Sequence, residues 1–224
     1  MNAPETLSEL LGRAQTLWGA SIEALAAEHG AQFAVDPVRN KGRIGTLLEA
    51  ALGATSGSSA APDFPHLGVE LKSVPVDPEG VPYESTFVST IDLETVDEAS
   101  WETSVVKQKL SCVLFVPIVA RERRTPFLER VVGRAVLWRP TERDTSVLRE
   151  DFEEIVGRLA VGGAEALSAR VGQWLQARPK ARDGSERTRS IAKDGGWEMV
   201  NPKGFYLRRM AVAAWLKRSE TASV

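Results

Sequence analysis

The feature that most constrains this sequence is a change in the spacing of its apolar residues near residue 60. Over the first 50 residues they recur at helical spacing, in LSELLGRAQTLW, SIEALAAEHG and KGRIGTLLEAALG. Further on, LGVELKSVPV alternates, and TFVSTIDL, CVLFVPIV and GRAVLW are rich in strand-forming residues. Helices followed by strands mixed with helices predict an α/β fold with a mixed central sheet flanked by helices.

Local signals predict where several elements begin and end. Ser21 is expected to cap the second helix, and Gly53 to end the third. WETSVVKQKL predicts a short helix capped by Ser100. Residues 144–158 and 164–177 both predict amphipathic helices. GFYLRR predicts a short strand that leads into a last helix around residues 210–217.

Composition excludes several classes of protein. The chain is 43% hydrophobic and 26% charged, as in ordinary globular proteins, which argues against disorder. Its apolar runs are too short to span a membrane, so no membrane partner is expected. One cysteine and two histidines exclude an internal disulfide and argue against a protein-built zinc site. The acidic start MNAPETLSEL lacks the features of a secretory signal, so we expect a cytoplasmic location.

Charge is unevenly distributed along the chain. The net charge is -2, yet residues 178–218 hold eleven Lys or Arg and four Asp or Glu. This asymmetry favours a basic, nucleic-acid-binding face on an acidic body. Charge alone leaves an uneven solvated surface as an equally good interpretation.

The pattern with the most chemical content is Asp63 followed by Glu70-Leu71-Lys72. Residues i and i+2 of a strand share one face, and an acidic residue of the preceding loop can reach the same point. Two carboxylates and a lysine suit Mg²⁺-assisted phosphodiester hydrolysis, because carboxylates hold the metal and the lysine orients water or phosphate.

This pattern is weak when it stands alone. Charged alternation on a half-exposed strand produces E-x-K by chance more often than a nuclease site does. Its surroundings strengthen the nuclease interpretation: apolar residues flank the strand, a Gly/Ser-rich loop precedes it, and an earlier helix carries Glu49.

A series of blocks closely resembles the MutH family of methyl-directed mismatch-repair endonucleases. The blocks are KGRIGTLLEAALG, DFPHLGVELKSVPVD, TFV, WETS with KLSCVLFVP, RPKA and GFYLRR, in one order from about residue 7 to residue 215. The resemblance implies a fold shared with type II restriction enzymes of the PD-(D/E)xK class. It also implies a single endonuclease domain over residues 1–224. That domain would have two lobes forming a DNA-binding cleft: an N-terminal catalytic arm and a basic C-terminal DNA-reading arm.

The resemblance also implies roles for matching residues at the cleavage site. Asp63 and Glu70 match metal-binding carboxylates, and Lys72 matches the catalytic lysine. Glu49 matches a further acidic residue at the metal site. Lys109, in the KL pair after WETS, matches a lysine near the scissile phosphate.

A second group of matching residues is implied to contact DNA. Lys41 opens the KGxIG block and is expected to reach the DNA. Arg178, Pro179 and Lys180 match an RPK block on the DNA-reading side. Tyr206 matches a tyrosine that senses the methylation state of the target adenine.

The function implied by the resemblance is strand-specific nicking. The family uses Mg²⁺ to nick the unmethylated strand of double-stranded DNA at hemimethylated GATC, 5′ of the G. The enzyme is expected to be a monomer activated by MutL, which MutS recruits to the mismatch. Two alternatives stay open: a restriction enzyme that cuts both strands of GATC, and a non-catalytic DNA-binding adaptor on the same fold.

Overall fold

The computed structural model of the chain describes residues 2–33, 42–57, 60–180 and 185–221. Its internal contacts divide the chain into two units. The first comprises Met1–Glu84, Ser111–Arg139 and Val212–Val224, and the second comprises Ser85–Leu110 and Pro140–Ala211. None of the described helices combines the length and the apolarity that a membrane span requires.

Three helices open the first unit, as the sequence predicts: α1 (Leu7–Thr16), α2 (Ile22–Glu28) and α3 (Arg43–Leu52). The hydroxyl of Ser21 caps α2 by accepting a hydrogen bond from the Ala24 N–H at 3.1 Å. Gly53 ends α3 with a φ of 81°, in the left-handed region that a glycine adopts most readily.

The sheet of the first unit is mixed. Strand β1 (Glu70–Val76) runs parallel to β3 (Val113–Val119), with Glu70 opposite Val113. The other edge of β3 pairs antiparallel with β4 (Val131–Val132) and β5 (Val136–Trp138). The structure therefore confirms a mixed sheet flanked by helices.

The apolar stripe of α3 attaches this helix to the sheet. Leu48 and Leu52 are fully buried and belong to the same core cluster as Val69 and Leu71. Packing of α3 against β1 places the helix that carries Glu49 beside the strand that opens with Glu70. Burial of these leucines, at about 1.5–3 kcal/mol each, holds the helix and strand together.

The second unit contains a three-stranded antiparallel sheet. Its order is β2 (Thr86–Thr90), β9 (Lys203–Leu207) and β6 (Leu175–Pro179), with β9 in the centre. Strands β7 (Thr188–Ile191) and β8 (Trp197–Val200) form a separate hairpin. The helices α4 (Val105–Leu110) and α5 (Glu142–Ala160) belong to this unit, and α6 (Arg209–Thr221) follows β9.

Phe152 of α5 is buried in the apolar core of the second unit. Its ring packs edge-on against Trp101 with the ring centres 5.7 Å apart. The same ring stacks on Phe205 of β9 at 5.3 Å. The sheet face that carries Phe205 is therefore covered by α5.

The structure corrects the prediction of an amphipathic helix at residues 164–177. Turns occupy the first part of this segment, and β6 begins at Leu175. The Asp151 carboxylate of α5 accepts hydrogen bonds from the N–H groups of Gln173, Trp174 and Leu175, at 2.6, 2.7 and 2.8 Å. Gly172, with a φ of 80°, also interrupts helical geometry. Long-range pairing therefore overrides a helical period that is visible only locally.

The predicted cap of the helix in WETSVVKQKL is also wrong. Ser100 precedes a single 3-10 turn, Trp101–Thr103, and makes no capping hydrogen bond with its side chain. The α-helix begins later, at Val105, and Ser104 caps it by accepting a hydrogen bond from the Lys107 N–H at 3.0 Å. The first turn of the segment has 3-10 geometry, so the cap of the α-helix lies at Ser104, four residues after Ser100.

Candidate active site

Asp63 is fixed by a tight turn in front of β1. The backbone groups of Phe64 and Val69 bond to each other in both directions, at 2.9 and 3.2 Å. Phe64 is fully buried, which anchors this turn in the core. The Asp63 carbonyl accepts a hydrogen bond from the Thr55 N–H at 3.1 Å. The loop after α3 is therefore tied to the residue that carries the first carboxylate.

The Asp63 carboxylate reaches β1 directly. Its Oδ2 accepts a hydrogen bond from the Leu71 N–H at 2.8 Å, and the side chain is buried. In the parallel pairing, the Glu70 N–H instead bonds to the Cys112 carbonyl at 2.9 Å. Asp63 therefore satisfies a backbone donor on the edge of β1 that β3 does not cover.

Glu70 and Lys72 share one face of β1, as the strand period predicts. The Lys72 Nζ lies 2.5 Å from the Glu70 Oε1, and Glu70 is only 1% exposed. A buried carboxylate requires a charge partner or a metal, because burial in a low-dielectric interior costs several kcal/mol. The ammonium of Lys72 provides that partner.

Glu49 lies in the last turn of α3 and is half-buried. Its carbonyl accepts hydrogen bonds from Gly53 and Ala54, both at 2.9 Å, which fixes the end of the helix. Asp63, Glu70, Lys72 and Glu49 all belong to the first unit.

A divalent cation such as Mg²⁺ needs oxygen ligands, which carboxylates supply. Within residues 2–33, 42–57, 60–180 and 185–221, no three or more His, Cys, Asp or Glu are grouped to hold a metal. Asp63 and Glu70 are two buried carboxylates on adjoining segments. Mg²⁺ is usually bound by one or two carboxylates and keeps several waters. Two carboxylates therefore fit a magnesium ion, and Glu49 as a third ligand stays a prediction.

The other predicted site residues lie in the second unit, with one exception. Lys109 is in α4, Arg178 is in β6, and Lys180 follows that strand directly. Tyr206 is in β9. Lys41 lies outside the described residues.

Aromatic and cationic side chains lie together on one face of the sheet formed by β2, β9 and β6. Tyr206 is directly opposite Phe87 of β2 on one side and Gln176 of β6 on the other. The rings of Tyr206 and Phe87 meet edge to face, with their centres 5.3 Å apart. Arg178 lies 6.0 Å from the centre of the Tyr206 ring. This face, named here the reading face, is opposite to the one that Phe205 turns toward α5.

Lys180 extends the reading face. Its Nζ lies 4.3 Å from the centre of the Phe87 ring and donates a hydrogen bond to the Thr90 hydroxyl at 2.6 Å. Burial lowers the pKa of Lys180 below its ordinary value, and the nearby Glu186 opposes that change. A partly desolvated ammonium over a ring makes a stronger cation–π contact than a fully hydrated one.

Sequence patterns did not single out several residues of the reading face. Ser85, Thr90 and Gln176 contact the predicted residues only across strands. The TFV block marks β2, but nothing in its local pattern shows which strand lies beside it. Strand order is decided by tertiary pairing, so no signal in the sequence identifies these partners.

The chain is similar to known proteins of one family. The family described as DNA mismatch repair enzyme MutH matches residues 52–151, which include Asp63, Glu70, Lys72 and Lys109. A DNA mismatch repair protein MutH of Shewanella sp. (strain MR-7) is 45% identical over 215 residues, 96% of each chain. That of Shewanella baltica (strain OS155 / ATCC BAA-1091) is 44% identical over the same shares. The Shewanella woodyi (strain ATCC 51908 / MS32) protein is 42% identical, over 92% of this chain and 89% of its own.

Fold and relatives together define a class. The mixed sheet with flanking helices is consistent with a restriction-endonuclease-like fold, and the relatives place the chain among DNA endonucleases. Identity above 40% over nearly the whole chain then fixes the family: the chain belongs to the MutH family of DNA mismatch-repair endonucleases.

Proposed function

We propose that this endonuclease uses Mg²⁺ to nick the unmethylated strand of hemimethylated GATC sites, 5′ of the G, in methyl-directed mismatch repair. The observation that carries this proposal is the group formed by Asp63, Glu70 and Lys72 at the start of β1. Two buried carboxylates beside a lysine support catalysis over DNA binding alone, because carboxylates repel phosphate unless a metal ion lies between them.

The metal site is assigned to Asp63 and Glu70, with Glu49 of α3 as a further acidic residue. When bound, Mg²⁺ polarises the scissile phosphate and lowers the pKa of an attacking water. Lys72 is held on the same face by Glu70 and can orient that water or contact a phosphate oxygen as a point charge.

Target recognition is assigned to the reading face and nearby cations. Arg178 and Lys180 carry side chains that pair well with guanine in the major groove. Tyr206 is half-buried, and its ring lies beside Phe87 and 6.0 Å from Arg178. N6-methylation changes the major-groove donor of adenine, so a tyrosine placed there can distinguish the two strands. From their sequence blocks alone, Lys109 is assigned to the catalytic site near the scissile phosphate, and Lys41 to DNA binding.

The biological setting follows from the resemblance and from membership of the family. We assign MutL as the activating partner, with MutS acting through MutL. We also infer a cytoplasmic monomer in which residues 1–224 act as one endonuclease domain. Cutting of both strands, or DNA binding without cutting, would place the chain with the two alternatives named above.

The test uses a plasmid with one hemimethylated GATC site, purified protein and Mg²⁺, with and without MutL. Strand-resolved sequencing locates any break. A nick 5′ of the G on the unmethylated strand, faster with MutL and absent without a divalent cation, is the expected result. Breaks in both strands indicate a restriction enzyme, and binding without breaks indicates an adaptor; either result contradicts the proposal.

The control for this test is Glu79→Gln. Glu79 is an exposed carboxylate in the turn after β1, away from the Asp63–Leu71 hydrogen bond. The variant removes one negative charge from the same unit and should nick at the rate of the unaltered protein.

A further inference from the structure

Two hydroxyl groups at the ends of β2 hold polar side chains of the segment that contains β6. The Ser85 Oγ accepts hydrogen bonds from the Gln176 Nε2 at 2.7 Å and from the Arg178 Nη1 at 3.2 Å. The Thr90 Oγ1 accepts one from the Lys180 Nζ at 2.6 Å. Strands β2 and β6 lie on opposite sides of β9, so these bonds pass over the central strand.

Gly204 of β9 leaves the space for this arrangement. It is directly opposite Thr90 in β2 and Arg178 in β6. A Cβ at Gly204 would lie only 2.9 Å from the Phe87 ring. The missing side chain therefore lets that ring rest over the strand, and the Lys180 ammonium then lies above the ring.

The hydroxyl groups supply hydrogen-bond acceptors for the neighbouring donor side chains. A serine oxygen has two acceptor lone pairs, and Gln176 and Arg178 together can use both. Gln176 is buried, so its amide needs a hydrogen-bond partner. Arg178 and Lys180 are exposed, and long exposed side chains lose rotamer freedom when they bind a ligand. A hydroxyl that orients them beforehand reduces that loss.

We propose that Ser85 and Thr90 are positioning residues that orient Arg178 and Lys180 for contact with base edges and so set sequence specificity. This inference rests on the proposed function of the reading face. Contact with a guanine edge depends on the direction of the donors, whereas neutralisation of phosphate depends mainly on charge. Loss of the hydroxyls therefore weakens discrimination between sites and leaves non-specific DNA binding unchanged.

The experiment compares Ser85→Ala, Thr90→Val, Ser85→Thr and the unaltered protein. Ser89→Ala is the matched control, because Ser89 lies on the same strand and takes no part in these three bonds. Two ratios are measured for each protein. One is the nicking rate at GATC over that at sites with one base pair changed, and the other is the corresponding ratio of binding affinities. Binding to a duplex without GATC and the midpoint of thermal unfolding are measured alongside.

We expect each lost hydroxyl to reduce both ratios by roughly 2- to 10-fold, the effect of freeing one long side chain. Ser85→Thr, which keeps a hydroxyl, and Ser89→Ala should keep the original ratios. Affinity for the duplex without GATC should not change.

Three results would overturn the inference. The first is an unchanged ratio in both Ser85→Ala and Thr90→Val while the unaltered protein prefers GATC. The second is an equal loss in Ser89→Ala, which would indicate a general effect on the strand. The third is an unaltered protein without any preference for GATC. That result would also contradict the proposed function, and it needs only the unaltered protein, so the two failures can be distinguished.

Discussion

The Asp63 carboxylate accepts a hydrogen bond from the backbone N–H of Leu71 at 2.8 Å. This N–H belongs to the peptide bond between Glu70 and Leu71. The hydrogen bond therefore links the carboxylate of the loop to the backbone of the residue that carries the carboxylate of the strand. The bond also occupies a donor on the edge of β1 that faces away from β3. Asp63 thus has a structural role and a proposed metal-binding role, and the two can be separated by substitution.

Asp63→Asn is expected to separate these roles. An asparagine oxygen can still accept the Leu71 hydrogen bond, so the free energy of unfolding should change by less than about 1 kcal/mol. Loss of the charge should reduce nicking more than about 100-fold, beyond the effect of removing an outer partner of a metal ligand. Denaturant unfolding and plasmid nicking measure the two effects.

Asp63→Ala provides the comparison for that variant. It leaves the buried Leu71 N–H without its acceptor and should lower the free energy of unfolding by about 1–3 kcal/mol. Nicking should fall as in Asp63→Asn. Normal nicking by Asp63→Asn would show that the charge of this residue is not needed.

Glu70→Gln should abolish nicking and keep DNA binding. The amide retains an acceptor for Lys72 but is a poor ligand for magnesium, so we expect a loss of more than about 100-fold in rate. Affinity for DNA should stay the same or rise, because one negative charge near the phosphates is removed. Nicking rates of both Glu70→Gln and the control Glu79→Gln are measured over a range of Mg²⁺ concentrations. Equal rates for the two variants would show that Glu70 is not a metal ligand.

Asp151 should be one of the most sensitive positions for the stability of the second unit. Its buried carboxylate binds three consecutive backbone N–H groups before and at the start of β6. Asp151→Ala leaves these donors without their charged acceptor and should cost about 3 kcal/mol or more. Denaturant unfolding is the measurement, and Glu153→Ala, an exposed change on the same helix, should stay within about 0.5 kcal/mol. Equal effects of the two changes would contradict this account.

Lys203 gives a pH-dependent prediction. It is buried on the side of the sheet that Phe205 turns toward α5, and burial lowers its pKa, opposed in part by Glu165. Between the lowered pKa and the ordinary value near 10.5, the unfolded chain binds more protons than the folded one. Stability contributed by this group therefore rises as pH rises through that interval.

Lys203→Met removes the titrating group and with it the cost of burying its charged form. The variant should be more stable than the unaltered protein at pH 7, and the difference should shrink as the pH approaches 10.5. Urea unfolding at several pH values measures it. A difference that is constant with pH would show that the charge of Lys203 has no part in the effect.

The elements with regular local patterns were predictable from sequence. The stripe Ile44, Leu47, Leu48, Ala51, Leu52 predicts α3, and all five residues are buried. Burial of one helix face requires this spacing, so the pattern and the structure agree. Residues 164–177 also show helical spacing, yet they form turns and the start of β6, where Asp151, more than 20 residues away, binds the backbone of residues 173–175.

The candidate site also has one part that the sequence predicts and another part that only the tertiary structure shows. The period of two along a strand, together with the E-x-K pattern, is enough to place Glu70 and Lys72 on one face of β1. Only the tertiary structure shows that Asp63 bonds to the next residue of that strand, and that Ser85 and Thr90 reach Arg178 and Lys180 over β9. Periodicity is a local property that any short window contains. Strand order and turn closure depend on which distant segments pack together, and no window of the sequence includes both partners.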